Sequence, residues 1–415
     1  MGRGYAWPET YWDRENTTPA GHGDGGRAHR RRPARRRRRF PRRHPILTAV
    51  AALVATLALL VAVSVIGAVR TPGNSNFQAK WADWLRAHNA GFAIGPLEQW
   101  YYNAKAPAKG GRPRSLNAIP ALGNAPAVTK SAPTHLPPPS PVPLVVSPAL
   151  PGEGQWQPTG PLVGGHPAMY VAQYRADTIY TSQITTAVWI DPTALRVRLQ
   201  PGAQEPGGTW PQPPYLMGST AARAVAAFNG GFRLQDAHGG FYLNGRTAAP
   251  LQPGAASVVL YNNGSVNIGA WGTEVTMTPQ VKAVLQNLVP MVDNGQVAPD
   301  ATYHDTRVWG ATLGASTVVA RSGLGVTADG ALVYVAGPAL TAKTLAESLQ
   351  RAGAVRAMTL DINPEWVTFN FFSHTNAANP ALTTGTKLYP QMQRSADRYL
   401  GPTQESRDFF SVSTS

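Results

Sequence analysis

Two carboxylates and an amide stand together where a predicted buried strand ends. In "VRAMTLDINPEWVTFNFF" an apolar run stops at Asp361, and Asn363, Pro364, Glu365 and Trp366 follow directly. Carboxyl groups placed together at the end of a strand can transfer protons or bind a ligand at an active site. We therefore predict Asp361 and Glu365 as catalytic residues and Asn363 as a substrate ligand. The alternative for Glu365 is that it only caps or braces a turn.

Two other strand ends carry groups suited to an anion. "AVAAFNGGF" ends with Asn229, Gly230 and Gly231 before its phenylalanine, and paired glycines let the backbone turn tightly and expose its N–H groups. "VVARSGLG" places Arg321 after an apolar run, and a guanidinium matches the geometry of a phosphate. We predict that these four residues bind phosphate, against the alternatives of an ordinary turn and a solvated edge arginine. His238, in "DAHGG", is a candidate for catalytic proton transfer unless it is merely exposed.

The residue types exclude several kinds of site. The 415-residue chain has no cysteine, so thiol catalysis and Cys-based metal sites are excluded. No spacing of ligands resembles a zinc site, and we predict no cofactor, although carboxylate ligation of Ca²⁺ or Mg²⁺ stays open. His304 and Asp305, in "YHDTRVWG", are further alternatives as site residues.

Strand-like runs between turn signals must position these residues. Asn263-Gly264 and Asp329-Gly330 each stand between two such runs and predict hairpins. Helices are predicted around residues 220–227, 278–288 and 340–352, the last with Thr341 as its N-cap. We predict an α+β fold, a single mixed domain with a strand-rich core that is preceded by a transmembrane helix and a Pro-rich linker.

An uncharged run after a basic tail predicts the location. Residues 46–69 carry no charge, and as a helix they would span ~36 Å, more than the ~30 Å hydrocarbon core of a bilayer. Residues 1–44 contain 13 arginines and four acidic residues, and so hold most of the net charge of +15. The positive-inside rule then predicts a single-pass anchor with a cytoplasmic amino terminus and an extracytoplasmic main domain. A cleaved signal peptide and a buried core helix are the alternatives.

The uneven charge also predicts the partners. We expect residues 46–69 to contact the lipid bilayer and the Arg-rich tail to contact anionic inner-leaflet lipid, with no dedicated nucleic-acid role. The chain then divides into a disordered cytoplasmic tail, a transmembrane helix, a juxtamembrane amphipathic segment, a Pro-rich linker, the main domain and a C-terminal tail. The predicted bounds are 1–44, 45–69, 70–106, 107–154, 155–400 and 401–415.

Four motifs in a fixed order resemble the phosphodiester glycosidase family. They are "AAFNGGF", "RSGLGVTADGALVYVAG", the helix "LTAKTLAESL" and "AMTLD", and the resemblance covers about residues 165–375. It assigns residues 229–232 to the family's N-G-G-F turn, Arg321 and Gly325 to its R-[ST]-x-x-G segment, and Asp361 to the aspartate that ends its last core strand. The family continues L-D-G-G-G-S, whereas this chain has "LDINPEW".

The resemblance implies a hydrolase that cleaves the bond between a sugar's anomeric carbon and a phosphate oxygen. Together with the predicted anchor, it implies a membrane-anchored extracytoplasmic enzyme that acts on a sugar–phosphate diester in envelope glycans. Two alternatives belong to other classes. One is a non-catalytic envelope protein that binds phosphosugar or glycan on the same fold, and the other is a structural protein of envelope assembly.

Overall fold

The first described element is an apolar helix, α1, Pro45–Arg70. The computed structural model describes residues 45–70, 77, 81, 84, 85, 88, 107–121, 135–302, 306–310, 317–374, 383–401 and 406–414. Most side chains of α1 are exposed, and the helix is long and apolar enough to cross a membrane. The predicted cytoplasmic tail lies outside the described residues, as does most of the predicted juxtamembrane segment.

The largest sheet has eight strands, in the order β1-β2-β3-β14-β13-β15-β11-β12, and every pairing in it is antiparallel. The strands are β1 Gln157–Val163, β2 His166–Tyr174, β3 Thr185–Ile190, β11 Pro290–Asp293, β12 Gln296–Val297, β13 Val319–Thr327, β14 Leu332–Leu340 and β15 Ala354–Thr359. β15, which leads to Asp361, lies in this sheet between β13 and β11.

Two five-stranded antiparallel sheets complete the domain. One has the order β7-β6-β10-β8-β9, with β6 Phe241–Leu243, β7 Arg246–Ala249, β8 Ala256–Tyr261, β9 Val266–Ala270 and β10 Val281–Gln286. The other has the order β17-β16-β5-β18-β4, with β4 Arg196–Gln200, β5 Ala224–Asn229, β16 Phe369–His374, β17 Thr383–Lys387 and β18 Phe409–Ser413.

Beyond residue 107, the helices that the structure describes are short apart from the last one. They are α2 Gly218–Arg223, α3 Leu234–Ala237, a 3₁₀ turn at Pro299–Thr302, α4 Thr306–Trp309 and α5 Ala342–Arg351. Helix α5 begins as predicted, because the Thr341 side chain accepts a hydrogen bond from the Thr344 N–H and closes a capping box. Antiparallel sheets with these helices confirm the predicted α+β fold.

The glycine hairpins are confirmed, but one predicted helix is wrong. Gly264 joins β8 to β9 and Gly330 joins β13 to β14, each with a positive φ that suits glycine. The segment predicted as a helix at 278–288 instead contains β10, which pairs with both β6 and β8. Its apolar residues fit both a helical and a strand periodicity. Hydrogen bonding to a neighbouring strand on each side outweighs the helix propensity of the segment.

A stack of aromatic rings connects the sheets beneath the site. Phe228 of β5 lies 5.6 Å from Phe369 of β16 and 5.2 Å from both Phe410 of β18 and Tyr334 of β14, measured between ring centroids. All four side chains are fully buried. The ends of β5, β14 and β16 are therefore held in one rigid core.

The predicted Pro-rich spacer packs on the domain wherever it is described. Val142 and Leu150 are buried, and the Val142 N–H donates to the Gly154 carbonyl. Asn117 pairs through its backbone with the side-chain amide of Gln173 on β2. We call residues 107–121 and 135–154 the strap. The prolines that predicted an extended path give the strap its lack of regular structure, but apolar residues between them bury it.

The predicted C-terminal tail also contains a core strand. β18 lies between β4 and β5 and buries Phe409, Phe410 and Val412. A run of five residues so close to the end of the sequence gave a weak strand signal. Its central place depends on partners that lie about 180 to 210 residues earlier in the chain.

A buried ion pair fastens the strap to β2 and leads to a stability prediction. Arg175 donates to the Glu153 carboxylate from Nε and Nη2, at 2.9 and 2.8 Å, and to the Pro148 carbonyl at 2.7 Å. Glu153→Ala leaves the guanidinium buried without its counter-charge, so we expect a loss of about 3–5 kcal/mol in the free energy of unfolding.

Urea unfolding of the full chain in detergent measures this loss. The matched control is Glu347→Ala, which removes an exposed carboxylate 3.7 Å from Lys343 and should cost less than about 0.5 kcal/mol. Equal losses in the two variants would contradict a fastening role for the pair.

Candidate active site

The amide of Asn229 joins three chain segments at the end of β5. Its Oδ1 accepts hydrogen bonds from the Tyr334 hydroxyl and the Thr368 N–H, both at 3.1 Å. Its Nδ2 donates to the Ser322 hydroxyl at 3.1 Å and to the Gly230 carbonyl at 2.8 Å. These bonds use the hydrogen-bonding capacity of the amide inside the protein. Asn229 therefore holds the turn in place, which differs from the direct phosphate contact that the sequence suggested.

The two glycines after Asn229 are required by close packing and not by backbone angle. Neither has a positive φ. A Cβ at Gly230 would lie 1.9 Å from Oδ2 of Asp408, and one at Gly231 would lie 3.1 Å from Cγ of Asn287. The Gly230 N–H donates to the Asp408 carbonyl at 3.1 Å, so this N–H is not directed at a phosphate as predicted.

A buried amide that the sequence did not single out clamps this turn onto β15. Asn287 accepts a hydrogen bond from the Phe232 N–H at 3.2 Å and donates to the carbonyls of Thr359 and Leu360 at 3.0 and 2.9 Å. The N-G-G-F turn and the strand that delivers Asp361 are thus one connected structure. Asn287 gave no sequence signal, because it lies within the segment 278–288 that was predicted as a helix.

Asp361 lies immediately beyond β15 and is only 2% exposed. Its Oδ2 is 3.3 Å from Nη1 of Arg407, and its Oδ1 accepts a hydrogen bond from the Asn363 N–H at 2.8 Å. Burial raises the pKa of Asp361 to about 6, although the Arg407 charge lowers it in part. The carboxyl is therefore poised to change its charge near neutral pH.

The arginine in contact with Asp361 is Arg407, whereas Arg321, the predicted phosphate ligand, is bonded elsewhere. Arg321 is 4% exposed and donates to the carbonyls of Leu340 at 2.9 Å and Thr317 at 3.3 Å. Burial lowers its pKa to about 10. Its neighbour Ser322 faces Asn229, and successive side chains of a strand point to opposite faces, so Arg321 lies on the other face of the sheet.

The "INPEW" loop makes its own bonds. The Asn363 side chain accepts a hydrogen bond from the Glu365 N–H at 3.0 Å, and its carbonyl accepts one from the Trp366 N–H at 2.8 Å. Glu365 forms an ion pair with Arg394 at 3.0 Å. In this structure Asn363 caps the turn and Glu365 holds Arg394, whose guanidinium lies over the Trp366 ring.

Three arginines surround the ring of Trp366. The guanidinium carbons of Arg407, Arg398 and Arg394 lie 3.9, 4.9 and 5.0 Å from its centroid. Guanidinium groups stack favourably on an indole face. Trp366 therefore positions positive charge next to Asp361. The three arginines come from the last 22 residues of the chain, far from every predicted motif.

A second buried carboxyl adjoins the glycine turn. Asp408 is 2% exposed, and neither of its oxygens has a well-formed hydrogen bond to a described residue. Burial and the negative charge of Glu205 raise the pKa of Asp408 to about 8, while Arg407 and the Gly231 N–H lower it in part. Burial also raises the pKa of Glu205. Asp408 is thus a neutral acid at pH 7, next to an ionised Asp361.

The remaining predicted residues make no described hydrogen bond to this cluster or lie outside the described residues. His238 follows α3 with φ of 49° and is exposed, and no hydrogen bond joins it to another described residue. His304 and Asp305 lie outside the described residues. Within the described ranges no group of three or more His, Asp or Glu side chains could hold a metal ion.

Comparison with known proteins gives one family match. The phosphodiester glycosidase family model matches residues 222–361, which confirms the resemblance found in the motifs and includes both the N-G-G turn and Asp361. This family consists of hydrolases, so the match supports that class. None of the curated proteins compared with the chain matches it.

Three solved structures share similarity with the chain. The first is the catalytic domain of zebrafish N-acetylglucosamine-1-phosphodiester alpha-N-acetylglucosaminidase, auto-inhibited by its pro-peptide, with 15% identity and a TM-score of 0.37 over 60% of this chain and 82% of that chain. A hypothetical protein from Synechocystis has 12% identity and a TM-score of 0.33 over 62% and 64%. A putative exported protein from Burkholderia pseudomallei has 10% identity and a TM-score of 0.24 over 55% and 74%.

The raised pKa of Asp408 predicts how stability depends on pH. The folded protein keeps a proton on Asp408 up to about pH 8, whereas the unfolded chain releases it near its ordinary pKa of 3.8. Stability therefore falls as pH rises between these values, by at most about 1.4 kcal/mol per pH unit. Asp408→Asn is neutral throughout, so its stability should exceed that of the wild type increasingly toward pH 8.

Thermal unfolding of the full chain at pH 5, 6.5 and 8 measures this difference. The control is Asp300→Asn, which changes an exposed carboxylate and should follow the wild type at each pH. A constant offset between Asp408→Asn and the wild type would show that Asp408 is ionised in the folded protein.

Proposed function

With residues 222–361 matching the phosphodiester glycosidase family, we propose that the protein is a hydrolase of sugar–phosphate diesters with its active site at Asp361. The observation that carries this proposal is the buried ion pair between Asp361 and Arg407 at 3.3 Å, beside the N-G-G turn. A carboxylate and a guanidinium in contact are the two groups that this hydrolysis needs, one for the sugar and one for the phosphate.

The chemistry assigned to the pair is hydrolysis at the anomeric carbon. The bond between that carbon and the phosphate oxygen breaks, and the phosphate monoester leaves with the electron pair. Water supplies the new bond to carbon and gives up a proton to Asp361, whose negative charge also stabilises the oxocarbenium-like transition state. The pKa of about 6 leaves Asp361 mostly ionised at neutral pH and still able to accept that proton.

The arginines around Trp366 are assigned to the phosphate. Arg407 contacts both the ring and Asp361, and Arg398 and Arg394 add positive charge on the same ring. This assignment moves phosphate binding from Arg321 and the turn amides to residues near the C-terminus. Asn229, Gly230, Gly231 and Asn363 then position the site, and no step is assigned to His238.

The location proposed for the enzyme is the outer face of the cytoplasmic membrane, with envelope glycans as substrate. The support is α1, which is long and apolar enough to span a bilayer, and the Arg-rich sequence before it. The amino terminus would lie in the cytoplasm and the main domain outside. We propose anionic inner-leaflet lipid as the partner of the tail.

A specific observation favours one second candidate function, that of a phosphosugar-binding protein without turnover. The loop "INPEW" replaces the glycine-serine loop of the family, and its Asn363 and Glu365 are engaged in bonds within the protein. If that loop has removed the space for an attacking water, the arginine cluster would still bind phosphate. Turnover separates the two functions.

Replacing Asp361 tests the proposal. Asp361→Asn keeps the size of the side chain but removes the negative charge, so we expect the protein to fold and kcat to fall about 10²- to 10⁴-fold. The assay is release of the free sugar from a sugar 1-phosphodiester by the full chain in detergent. The wild-type rate should rise as pH increases through about 6, where Asp361 ionises.

The matched control is Asp329→Asn, which changes an exposed residue in the β13–β14 turn and should leave kcat unchanged. A wild-type protein that binds the sugar phosphate in calorimetry but releases no sugar would favour the binding function. Full activity in Asp361→Asn would remove Asp361 from the mechanism.

Protease treatment of intact, wall-stripped cells tests the location. Residues 71–415 should be digested from outside, while an epitope tag on residues 1–44 should survive until the cells are lysed. The physical reason is the cost of moving 13 arginines across a bilayer. Survival of the main domain with loss of the tag would reverse the orientation.

A further inference from the structure

Three arginines lie close together on the sheet that contains β4, β18 and β5. Arg196 and Arg198 are alternate residues of β4, and Arg223 is the last residue of α2. All three are exposed. β4 is an edge strand, and β18 separates it from β5, which begins directly after Arg223. We call these three residues the arginine patch.

The backbone register explains why the three side chains meet. Ser413 of β18 pairs with Arg196 on one side and with Ala224 on the other, and the next residue donates its N–H to the Arg223 carbonyl at 3.0 Å. Residues of β4 that are two apart point to the same face. Arg196, Arg198 and Arg223 therefore surround the C-terminal end of β18.

Two of the guanidinium groups are fixed by neutral acceptors. Arg196 donates from Nη1 to the Asn263 carbonyl at 2.8 Å, and Arg198 donates from Nη1 to the Ser413 hydroxyl at 2.7 Å. A guanidinium has five N–H donors, so each of these two groups keeps further N–H groups that the bonds above do not use. The charges are thus held in position and not merely attached to flexible side chains.

The charges of the arginine patch are not balanced by any residue that the structure describes. Burial, and then the positive charges of Arg223 and Arg196, lower the pKa of Arg198, and no carboxylate offsets them. Among the described residues, none of the three arginines forms an ion pair with an acidic side chain. Like charges held close together without a counter-charge repel one another and destabilise the protein when no ligand is bound. A bound anion is attracted by the same charges and offsets this repulsion.

We propose that the arginine patch is a second anion site, distinct from Asp361, which binds phosphate groups carried along a polymer. Planar guanidinium forks match the oxygens of a phosphate, and three of them across two strands suit more than one phosphate. If the proposed function holds, the phosphates belong to the glycan whose diester is cleaved at Asp361. The patch then retains the polymer while one linkage is hydrolysed.

The surroundings favour a polymer over the phosphate headgroups of a lipid surface. On this face of β4 and β18 the side chains beside the arginines, namely Gln200, Phe409, Ser411 and Ser413, are all buried. The two strands therefore expose no aromatic or apolar side chain next to the arginines. Surfaces that insert into membranes combine basic residues with exposed aromatic or apolar ones. Both ligands carry phosphate, so the experiment compares them directly.

Arginine-specific footprinting of the full chain tests this site one residue at a time. The protein in detergent is treated with phenylglyoxal, alone and with inorganic polyphosphate, and peptide mass spectrometry gives a modification rate for each arginine. We expect polyphosphate to slow modification of Arg196, Arg198 and Arg223 by at least about fivefold, because bound phosphate covers the N–H groups. Separate peptides keep the arginines of residues 1–44 from obscuring the result.

The matched control is Arg246, an exposed arginine that lies 4.2 Å over the Trp210 ring and should keep its rate. The double variant Arg196→Gln, Arg198→Gln should lose the protection at Arg223. Equal protection at Arg246, or no protection at the patch, would overturn the site. Protection by phosphatidylglycerol vesicles but not by polyphosphate would overturn the polymer assignment. The footprint needs no turnover, so its failure is distinct from failure of the hydrolase proposal.

Discussion

The buried amide of Asn229 is the interaction on which the site end of the domain depends. It hydrogen-bonds at once to Ser322 of β13, Tyr334 of β14 and the backbone of Thr368, which comes just before β16. Strands of two different sheets are therefore tied to one fixed point. Because both ends of the amide are satisfied, burial of this polar group is stabilising, whereas an apolar replacement would remove four hydrogen bonds. The glycine turn that follows is positioned by this point and by the Asn287 clamp.

Charge around that fixed point is arranged so that carboxyls differ in protonation. Asp361 contacts a guanidinium and has a pKa of about 6, whereas Asp408 lies against a glycine backbone and another acid and has a pKa of about 8. Arg407 lowers the pKa of both. Groups of one chemical type thus take different charges because their surroundings differ, which is a common property of active sites and supports the assignment made for Asp361.

Without disulfides, the fold is held by segments that wrap onto it. The strap packs on β2 through Glu153 and Arg175, and β18 inserts between β4 and β5. Both lie outside the residues that match the family model. β18 nevertheless follows the two residues, Arg407 and Asp408, that complete the charge arrangement. The cluster of charged residues around Asp361 therefore extends beyond the segment that matches the family model.

The sequence by itself determined what local rules control: the apolar helix, the two glycine hairpins, the capped helix α5, the α+β class and the motifs of the family. It also singled out Asp361 as a candidate, because a carboxylate at the end of an apolar strand is a local feature. Tertiary structure alone decided which arginine meets Asp361, since Arg407 lies 46 residues further along the chain. It likewise decided that the glycines serve close packing, that β10 is a strand, and that the proline-rich strap is buried. Each of these depends on partners distant in sequence, and no periodicity or motif specifies such partners.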